Sequence, residues 1–297
     1  MRLDGDIDAG TRIGGVIGWP IRHSLSPTIV NAAFSVMGLD WVFVGFEVPP
    51  NKGRDAVDAM RSLGLGGLSV TMPHKAAANA AVDARTAVAE ALEAVNCIFW
   101  QGDRLVGDNT DAAGFIDALR ADAGFDPSGL ACAVVGAGGA GRAAAWALGQ
   151  AGAAEVVIIN RSASPAERAA SVVPHGVGRV GQAPDVADVD LVVNATPVGM
   201  RDAATGATAT PIESQAMPVD PARLRAGQVV VDLIYHPETT PLLGAARAQG
   251  AVGVNGLAML IHQASHALER WTGTVPTREV RTAMRHAAET RLQRPVP

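Results

Sequence analysis

Residues 134–141, with the sequence VVGAGGAG, constrain the fold of this chain more than any other segment. The segment follows an apolar run typical of a strand and opens a helix predicted over Gly139–Gln150. Gly136 permits a tight turn, Gly138 lets the backbone approach a pyrophosphate, and Gly141 lets helix and strand pack closely. The helix N-terminus then presents free N–H groups to phosphate. The pattern predicts a Rossmann-type dinucleotide site, and a glycine-rich turn without a ligand is the alternative.

Alternating strand and helix patterns extend over most of the chain. Apolar runs bounded by Gly and Pro predict strands at 13–18, 41–48, 67–71, 94–100, 130–135, 155–159, 189–194 and 228–232. Helical spacing predicts helices at 27–37, 52–63, 111–122 and 139–150, another opened by Pro73, and a helical pattern from Asn255 onward. In the first helix Ser26 is the predicted N-cap and Gly38 the predicted stop. This order predicts an α/β protein with mixed or parallel sheets wrapped by helices.

Composition excludes several classes of protein. The chain has 297 residues, enough for one large or two ordinary domains, and a net charge of -5. It carries no nucleic-acid footprint or polybasic membrane surface, and its apolar runs are too short to span a membrane. The N-terminus is acidic, unlike a signal peptide, and Cys97 and Cys132 fall in apolar runs expected to bury reduced thiols. We therefore expect a cytoplasmic protein without nucleic-acid or membrane partners, without a disulfide and without a metal site.

Lys75 is one of only two lysines among 24 basic residues, and it lies in the segment LSVTMPHK. Lysine can donate or accept a proton at accessible cost, whereas arginine stays charged. A lysine in a chain that otherwise uses arginine therefore indicates proton chemistry. A surface lysine at the start of a helix is the alternative.

Polar residues at the ends of predicted strands are further candidates. Asn160 and Arg161 follow the second strand of the glycine-loop unit, where an NAD site usually has an acidic residue for the ribose. Arg161 favours a 2'-phosphate and therefore NADP, with a solvated surface arginine as the alternative. Residues 194–200 (NATPVGM) end the next strand, where the cofactor crevice of such sheets lies, although a simple turn also fits. The cluster at 107–111 (GDNTD) indicates a helix cap from its spacing alone.

Taken in order, these segments resemble the shikimate dehydrogenase family over nearly the whole chain. The matching segments are 23–27 (HSLSP), 70–75 (VTMPHK), 94–96, 109–111, the glycine loop, 160–161, 194–200, 232–237 with 240–243, 256, 259–260 and 263–264. No single motif decides the family, but their joint order is highly specific. The resemblance implies two α/β domains flanking a cleft, the second a Rossmann-type dinucleotide-binding domain.

The resemblance also assigns roles to individual residues. The substrate carboxylate would be held by Ser24, Ser26 and Tyr235, and the ring hydroxyls by Thr71, Asn96, Asp111 and Gln263. The catalytic acid–base pair would be Lys75 and Asp111. NADP would be held by Gly136, Ala137, Gly138, Gly139, Ala140, Asn160, Arg161, Thr196, Leu233 and Gly256. The implied reaction is the reversible, NADP-dependent oxidation of shikimate to 3-dehydroshikimate, in the pathway to chorismate and the aromatic amino acids.

The resemblance divides the chain into two parts. Residues 1–108, completed by C-terminal helices in 255–297, would bind the substrate, and residues 109–254 would form the Rossmann NADP domain. The expected partners are small molecules, shikimate and 3-dehydroshikimate. The oligomeric state stays open, with a homodimer as one expectation. Residues 201–221 have no periodicity and are rich in Ala, Thr and Pro, which predicts a mobile surface loop.

Two positions depart from the family's pattern. Ser69 stands where the family often has Asn, and its shorter side chain would leave one substrate hydroxyl to water. Pro165 stands where a second basic residue often follows Arg161, and Arg168, about one helical turn further on, is the substitute.

Three rival hypotheses follow from the same resemblance. The first is a quinate/shikimate dehydrogenase that uses NAD; Arg161 argues against it, as does Ser26, where quinate-using relatives tend to carry Thr. The second is an aminoshikimate-type relative that acts on a related ring. The third is a non-catalytic NADP-binding regulatory protein, and the presence of both Lys75 and Asp111 argues against it.

Overall fold

The computed structural model describes residues 7–200 and 217–293. Over these residues the chain divides into two compact units. The first unit contains the described residues up to Thr110 and from Ile261 onward, and the second contains Asp111–Leu260. Each unit has its own six-stranded sheet with helices, so the predicted α/β class is confirmed.

The first unit begins with alternating strands and helices. In chain order its elements are β1 (Arg12–Gly18), α1 (Ser26–Met37), β2 (Trp41–Glu47), α2 (Gly53–Leu63), β3 (Gly67–Val70), α3 (Lys75–Ala81), β4 (Ala84–Arg85), α4 (Ala87–Leu92), β5 (Cys97–Gln101) and β6 (Arg104–Asp108). The sheet order is β2-β1-β3-β5-β6-β4, with β1, β2 and β3 parallel and β5 antiparallel to both β3 and β6. Because β1 and β3 are parallel neighbours, their carboxyl ends lie side by side.

The core of this unit lies between the sheet and the helices that follow its strands. Ile17 of β1, Leu68 of β3 and Ile98 of β5 belong to one buried cluster, together with Met60 of α2 and Ala89 of α4. Burial of each larger aliphatic side chain in such a cluster stabilises the fold by about 1.5–3 kcal/mol. The alternation of apolar runs and helical patterns in the sequence therefore has its physical cause in this shared core.

The second unit is a Rossmann fold. Its elements are α5 (Thr110–Ala121), β7 (Ala131–Val135), α6 (Gly139–Gln150), β8 (Glu155–Ile159), α7 (Ala163–Ser171), β9 (Gly178–Val180), β10 (Leu191–Asn194), β11 (Val229–Asp232), α8 (Pro241–Ala248) and β12 (Val252–Asn255). All pairings in the sheet of order β12-β11-β10-β7-β8-β9 are parallel. The strand order reverses direction between β7 and β10, and such a switch point is where dinucleotides bind in this fold.

Valines and small residues fill the core of the second unit. Ala133 of β7, Val157 of β8, Val192 of β10 and Val230 of β11 form one buried cluster with Leu243 of α8. Strands buried on both faces require such continuous apolar runs, which is why the sequence predicted these four strands well.

Two helices close the chain, α9 (Leu257–Thr272) and α10 (Arg278–Leu292). Helix α10 packs against α1, which ends at Gly38 in the left-handed conformation (φ 66°), as predicted. Among the helices in the described ranges, none combines the length and the apolar character that a membrane crossing requires. Both cysteines lie in described strands, are buried and form no disulfide.

Some predicted elements differ from the structure. The prediction of Ser26 as N-cap was wrong: α1 already includes Ser26, whose N–H donates to the Ser24 hydroxyl at 3.2 Å. Pro73 does not open a helix, because a turn closed by the His74 N–H on the Thr71 carbonyl precedes α3 (3.0 Å). Strand β6 was not predicted. Residues 201–216 of the predicted loop lie outside the described residues, and Pro221–Arg223 forms a 3₁₀ turn.

Candidate active site

The first group of polar residues surrounds Thr110, in the first unit. The amide oxygen of Asn96 accepts a hydrogen bond from the Thr110 backbone N–H at 2.7 Å, and its Nδ2 donates to Thr110 Oγ1 at 3.0 Å. Thr110 Oγ1 also lies 3.5 Å from Oε1 of Gln263 on α9. Asn96 and Thr110 are buried. The structure thus brings together two predicted substrate residues, Asn96 and Gln263, around Thr110, to which the sequence analysis assigned no role in the site.

The segment that carries Lys75 adjoins this group. Lys75 is the first residue of α3 and is half-buried, and its carbonyl accepts a hydrogen bond from the Val95 N–H at 3.1 Å. The next residue after Val95 is Asn96. The preceding His74 is buried, with its Nε2 2.8 Å from the Val48 carbonyl. The backbone contacts therefore fix Lys75 and Asn96 on neighbouring segments of the first unit.

The predicted carboxylate and hydroxyl binders follow two neighbouring strands. Ser24 and Ser26 come after β1 and are half-buried, and Thr71 comes directly after β3. The Thr71 N–H donates to the carbonyl of Ile17 at 2.9 Å, and a Cβ added at Gly18 would lie 2.5 Å from Thr71 Cγ2. Gly18 therefore lets the two chain segments approach closely at the carboxyl ends of β1 and β3.

Asp111 is the second residue of α5 and the first residue of the second unit. It is buried at 7% exposure and directly follows Thr110 along the chain. Lys75 belongs to the first unit. Their catalytic pairing therefore stays a prediction that rests on the family's pattern.

The glycine loop in the second unit has the geometry that its sequence predicts. Gly136 has φ 105°, a conformation that side chains with a Cβ rarely adopt. A Cβ at Gly141 would collide with the Gly136 carbonyl, so only glycine permits this contact between α6 and the loop. A Cβ at Gly138, by contrast, would meet no atom within 4 Å. The open side of Gly138, at the N-terminus of α6, fits a pyrophosphate approaching the backbone.

Asn160 holds this loop from the end of β8. Its Oδ1 accepts the Ala137 N–H at 3.3 Å, and its Nδ2 donates to the Ser162 carbonyl at 2.9 Å. The next residue, Arg161, is exposed, so its guanidinium is accessible to a ligand. Arg168, the proposed second basic residue, donates to Ser164 Oγ at 2.6 Å.

A buried polar network joins the ends of β10 and β11. Asn194 Oδ1 accepts hydrogen bonds from the N–H and the hydroxyl of Thr196, at 3.0 and 2.7 Å, and its Nδ2 donates to Asp232 at 2.9 Å. Asp232 also accepts from the Thr240 hydroxyl at 2.7 Å and the Ile234 N–H at 3.1 Å. Burial raises the pKa of the Asp232 carboxyl, and these hydrogen bonds oppose that shift. The network fixes Thr196, a predicted cofactor residue, on its strand end.

The remaining predicted residues follow β11 and β12. The Leu233 N–H donates to the Asn194 carbonyl at 3.0 Å, and a Cβ at Gly256 would collide with the Leu233 backbone. Tyr235 is half-buried, and burial raises the pKa of its phenol. The phenol therefore stays protonated at neutral pH and can donate a hydrogen bond to a carboxylate.

Sequence reasoning missed five polar residues that support these groups. They are Thr110, Asn194, Asp232 and Thr240, described above, and Asp108, which ends β6. Each is buried, and each lies within or beside a segment that matched the family. For four of them the available signal was a position one to three residues from a predicted site residue or at a strand end. Thr240 is instead the N-cap of α8, and its signal was its place in the matched segment 240–243.

Sequence comparison adds independent findings. A family model described as the shikimate dehydrogenase substrate binding domain matches residues 16–98. A shikimate dehydrogenase (NADP(+)) of Methanopyrus kandleri is 39% identical over 282 residues, which cover 92% of this chain and 94% of the relative. One from Geobacter metallireducens is 41% identical over 91% of this chain and 94% of its own.

Solved structures are similar over the same extent. A shikimate dehydrogenase in complex with NADP+ has a TM-score of 0.87 at 33% identity, covering 97% of this chain and 98% of that chain. The Thermus thermophilus shikimate 5-dehydrogenase with NADP(H) and shikimate has a TM-score of 0.81 at 33% identity, covering 94% of this chain and 99% of that chain. The quinate dehydrogenase of Corynebacterium glutamicum with NAD has a TM-score of 0.81 at 30% identity, covering 94% of this chain and 99% of that chain.

Proposed function

The chain belongs to the shikimate dehydrogenase family, and from that membership we propose that it oxidises shikimate reversibly to 3-dehydroshikimate with NADP. The observation that carries the proposal is the hydrogen-bonded group of Asn96, Thr110 and Gln263 beside the Lys75 segment. It concentrates amide and hydroxyl groups suited to a polyhydroxylated ring. The reaction is a step in the pathway to chorismate and the aromatic amino acids.

Polar side chains hold the substrate in this proposal. Ser24 and Ser26 offer hydroxyl donors to the carboxylate, and Tyr235 offers its protonated phenol. The ring hydroxyls are held by Thr71, Asn96, Asp111 and Gln263. Three of these four side chains, those of Thr71, Asn96 and Gln263, are uncharged, so each can pair with a hydroxyl without the desolvation cost of a charge.

Lys75 and Asp111 form the acid–base pair in this proposal. As the C–H bond at the carbinol carbon breaks with both electrons, the O–H proton must leave so that the oxygen can form the carbonyl. Lys75 relays that proton and stabilises the charge that develops on the oxygen, and Asp111 orients Lys75 and the substrate. NADP+ supplies, when bound, the acceptor for the hydride.

Residues of the second unit hold the cofactor in this proposal. The loop residues Gly136, Ala137, Gly138, Gly139 and Ala140 receive the pyrophosphate, Asn160 fixes the loop, and Arg161 pairs with the 2'-phosphate. Thr196, Leu233 and Gly256 line the site at the strand ends. Arg161 carries the preference for NADP over NAD.

The first test is the initial rate of nicotinamide reduction with shikimate or quinate, each against NADP and NAD. Rapid turnover with shikimate and NADP alone supports the proposal. Turnover mainly with quinate and NAD would assign the chain instead to the subfamily of the structurally similar quinate dehydrogenase. Nucleotide binding without turnover of either substrate would favour a regulatory protein.

Lys75→Ala tests the proposed chemistry. We expect kcat to fall by about 10²–10⁴-fold with the KM for NADP unchanged, because a general acid–base group acts in the transition state. Lys75→Arg keeps the charge but hinders proton exchange, so it should lose nearly as much. A normal kcat with a raised KM in Lys75→Ala would rule out this role and leave Lys75 as a binding residue.

The proposal also includes the domain division, the cellular location and the oligomeric state. We propose that residues 1–108 with 255–297 form the substrate domain and that residues 109–254 form the NADP domain. The two sheets, β1–β6 and β7–β12, support this division. We propose the cytoplasm as the location, supported by two buried cysteines that form no disulfide in the described strands. A homodimer stays a prediction, which light scattering of the purified chain tests.

A further inference from the structure

Asp108 is a buried carboxylate that the proposed chemistry does not use. It ends β6, two residues before Thr110, and is 4% exposed. Its Oδ1 accepts hydrogen bonds from the Thr86 hydroxyl at 2.6 Å and the Asn109 N–H at 2.8 Å, and its Oδ2 accepts one from Arg270 Nε at 2.8 Å. A charge with so little access to water is retained only with such partners.

Arg270 lies on α9, the helix that carries Gln263. The two residues are seven positions apart, about two helical turns, so their side chains lie on the same face of the helix. The Arg270 guanidinium is 5.6 Å from the Phe99 ring of β5, and the neighbouring Trp271 donates its indole N–H to the Ile98 carbonyl at 3.0 Å. The last turns of α9 are therefore fixed to both strands of the β5–β6 hairpin.

One face of α9 therefore contacts the segment 108–110 at two points. Arg270 meets Asp108, and two turns earlier Gln263 meets Thr110. The ion pair is a charge-assisted hydrogen bond of 2.8 Å, whereas Thr110 Oγ1 and Gln263 Oε1 are 3.5 Å apart. Since charge-assisted bonds are roughly twice as strong as neutral ones, the ion pair is the stronger of these two contacts between α9 and the segment.

We propose that Asp108 and Arg270 are positioning residues for substrate recognition. Their ion pair holds α9 so that the Gln263 amide stays beside Asn96 and Thr110. This inference rests on the proposed function, in which Asn96 and Gln263 bind ring hydroxyls. Neither Asp108 nor Arg270 is among the residues proposed to contact the substrate or the cofactor.

The test is the kinetics of Arg270→Gln in the full chain, with Arg61→Gln as the matched control. Arg61 pairs with Asp83 at the same 2.8 Å in the same unit, and its other partners among the described residues, Asp58 and the Ala81 carbonyl, are not proposed site residues. We expect Arg270→Gln to raise the KM for shikimate about tenfold with kcat changed by less than about threefold, since it removes binding rather than chemistry. The KM for NADP should not change. Arg270→Lys, which keeps a cation for Asp108, should recover most of the affinity.

A purely structural role would give a different pattern. An unchanged shikimate KM in Arg270→Gln, with only a lower melting temperature, would overturn the proposal, as would an equal KM increase in Arg61→Gln. If Arg270→Gln does not fold, Asp108→Asn keeps the shape of the side chain and must show the same rise in KM. If the wild type binds shikimate without turnover, the proposed function fails, and calorimetric affinities of the two variants still decide the positioning role.

Discussion

Each unit contains a buried carboxylate at the end of a strand, and the two are built alike in two of their three contacts. Asp108 ends β6 and accepts a hydrogen bond from the Thr86 hydroxyl at 2.6 Å; Asp232 ends β11 and accepts one from Thr240 at 2.7 Å. Both threonines are also N-caps, of α4 and α8. Both carboxylates accept a backbone N–H from one of the next two residues. A helix start and a strand end are thus joined by the same pair of side chains in each unit.

The two carboxylates differ in their third hydrogen-bond partner and in the elements that this partner connects. Asp108 meets the guanidinium of Arg270, 162 positions away on a C-terminal helix. Asp232 meets the neutral amide of Asn194, its direct neighbour in the parallel register of β10 and β11. A hydrogen bond from a charged donor is roughly twice as strong as one from a neutral donor, so the third partner of Asp108 is the stronger of the two. Without a cation, burial dominates at Asp232 and raises its pKa.

The largest expected effect is on stability, when either carboxylate is removed. Asp232→Ala removes the carboxylate that accepts three buried hydrogen bonds, so we expect it to lower the free energy of unfolding by about 3 kcal/mol. Asp108→Ala should cost about 2 kcal/mol, because the half-exposed Arg270 side chain can turn to water. Urea unfolding of both variants measures the difference. A larger loss in Asp108→Ala would contradict the view that the fully enclosed network is the more sensitive one.

The same variants should separate the two ligands. Asp232→Ala releases Asn194, which anchors Thr196, so we expect weaker binding of NADP, by about tenfold if one hydrogen bond is lost. Asp108→Ala should leave NADP binding unchanged. Titration of each folded variant with NADP, followed by fluorescence or calorimetry, checks this. Equal weakening in both variants would show that the networks do not act separately.

The sequence predicted those parts of the fold that depend on neighbours along the chain. The strand at 155–159 and the helix Gly139–Gln150 agree with the structure to the residue, because continuous valines and a glycine loop are strong local signals. The glycines at 136, 138 and 141 could be assigned for the same reason. The family resemblance, carried by the order of short motifs, is confirmed by the full-length relatives.

The parts that were missed depend on contacts between distant segments. The pairing of Asp108 with Arg270 leaves no periodic pattern, and a short strand such as β6 is hard to tell from a loop. Ser26 was predicted as a cap because it precedes a proline, but the hydroxyl that accepts a backbone N–H at the start of α1 belongs to Ser24. The roles of Lys75 and Asp111 came from the resemblance and stay predictions.

The next effect in size is that of the two capping threonines. Thr86→Val and Thr240→Val each remove one hydrogen bond to a carboxylate, so we expect each to lower the free energy of unfolding by about 1.5 kcal/mol. Thr240→Val should lower the free energy of unfolding slightly more. The Thr240 hydroxyl also accepts the Leu243 N–H at 3.2 Å, whereas the corresponding bond from the Ala89 N–H to the Thr86 hydroxyl is 3.4 Å long. Urea unfolding checks both. A negligible loss at Thr86 alone would show that Arg270 and the Asn109 N–H are enough to stabilise the Asp108 carboxylate.

The smallest expected effect is a difference in the pH dependence of stability. The folded-state pKa of Asp232 is raised above that of the unfolded chain, so the folded protein binds more protons between the two values. Its contribution to stability is therefore complete below the unfolded pKa and is lost as the pH rises through the folded pKa. Asp232→Asn removes this titration, and each unit of pKa difference corresponds to about 1.4 kcal/mol. The variant should gain stability relative to the wild type as the pH rises.

Asp83 is the control of opposite sign, because hydrogen bonds from Arg61 and from the Leu105 N–H lower the pKa of its carboxyl. Its contribution is present above the unfolded pKa and is lost as the pH falls through the folded pKa. Asp83→Asn should therefore lose stability relative to the wild type as the pH rises. Urea unfolding of the three proteins from about pH 3.5 to 6.5 covers the unfolded-state pKa of an aspartate. If the stability difference between variant and wild type changed with pH in the same direction for both variants, the expectation for Asp232 would be wrong. The Asp232 network would then favour the ionised carboxylate, as Arg61 does at Asp83.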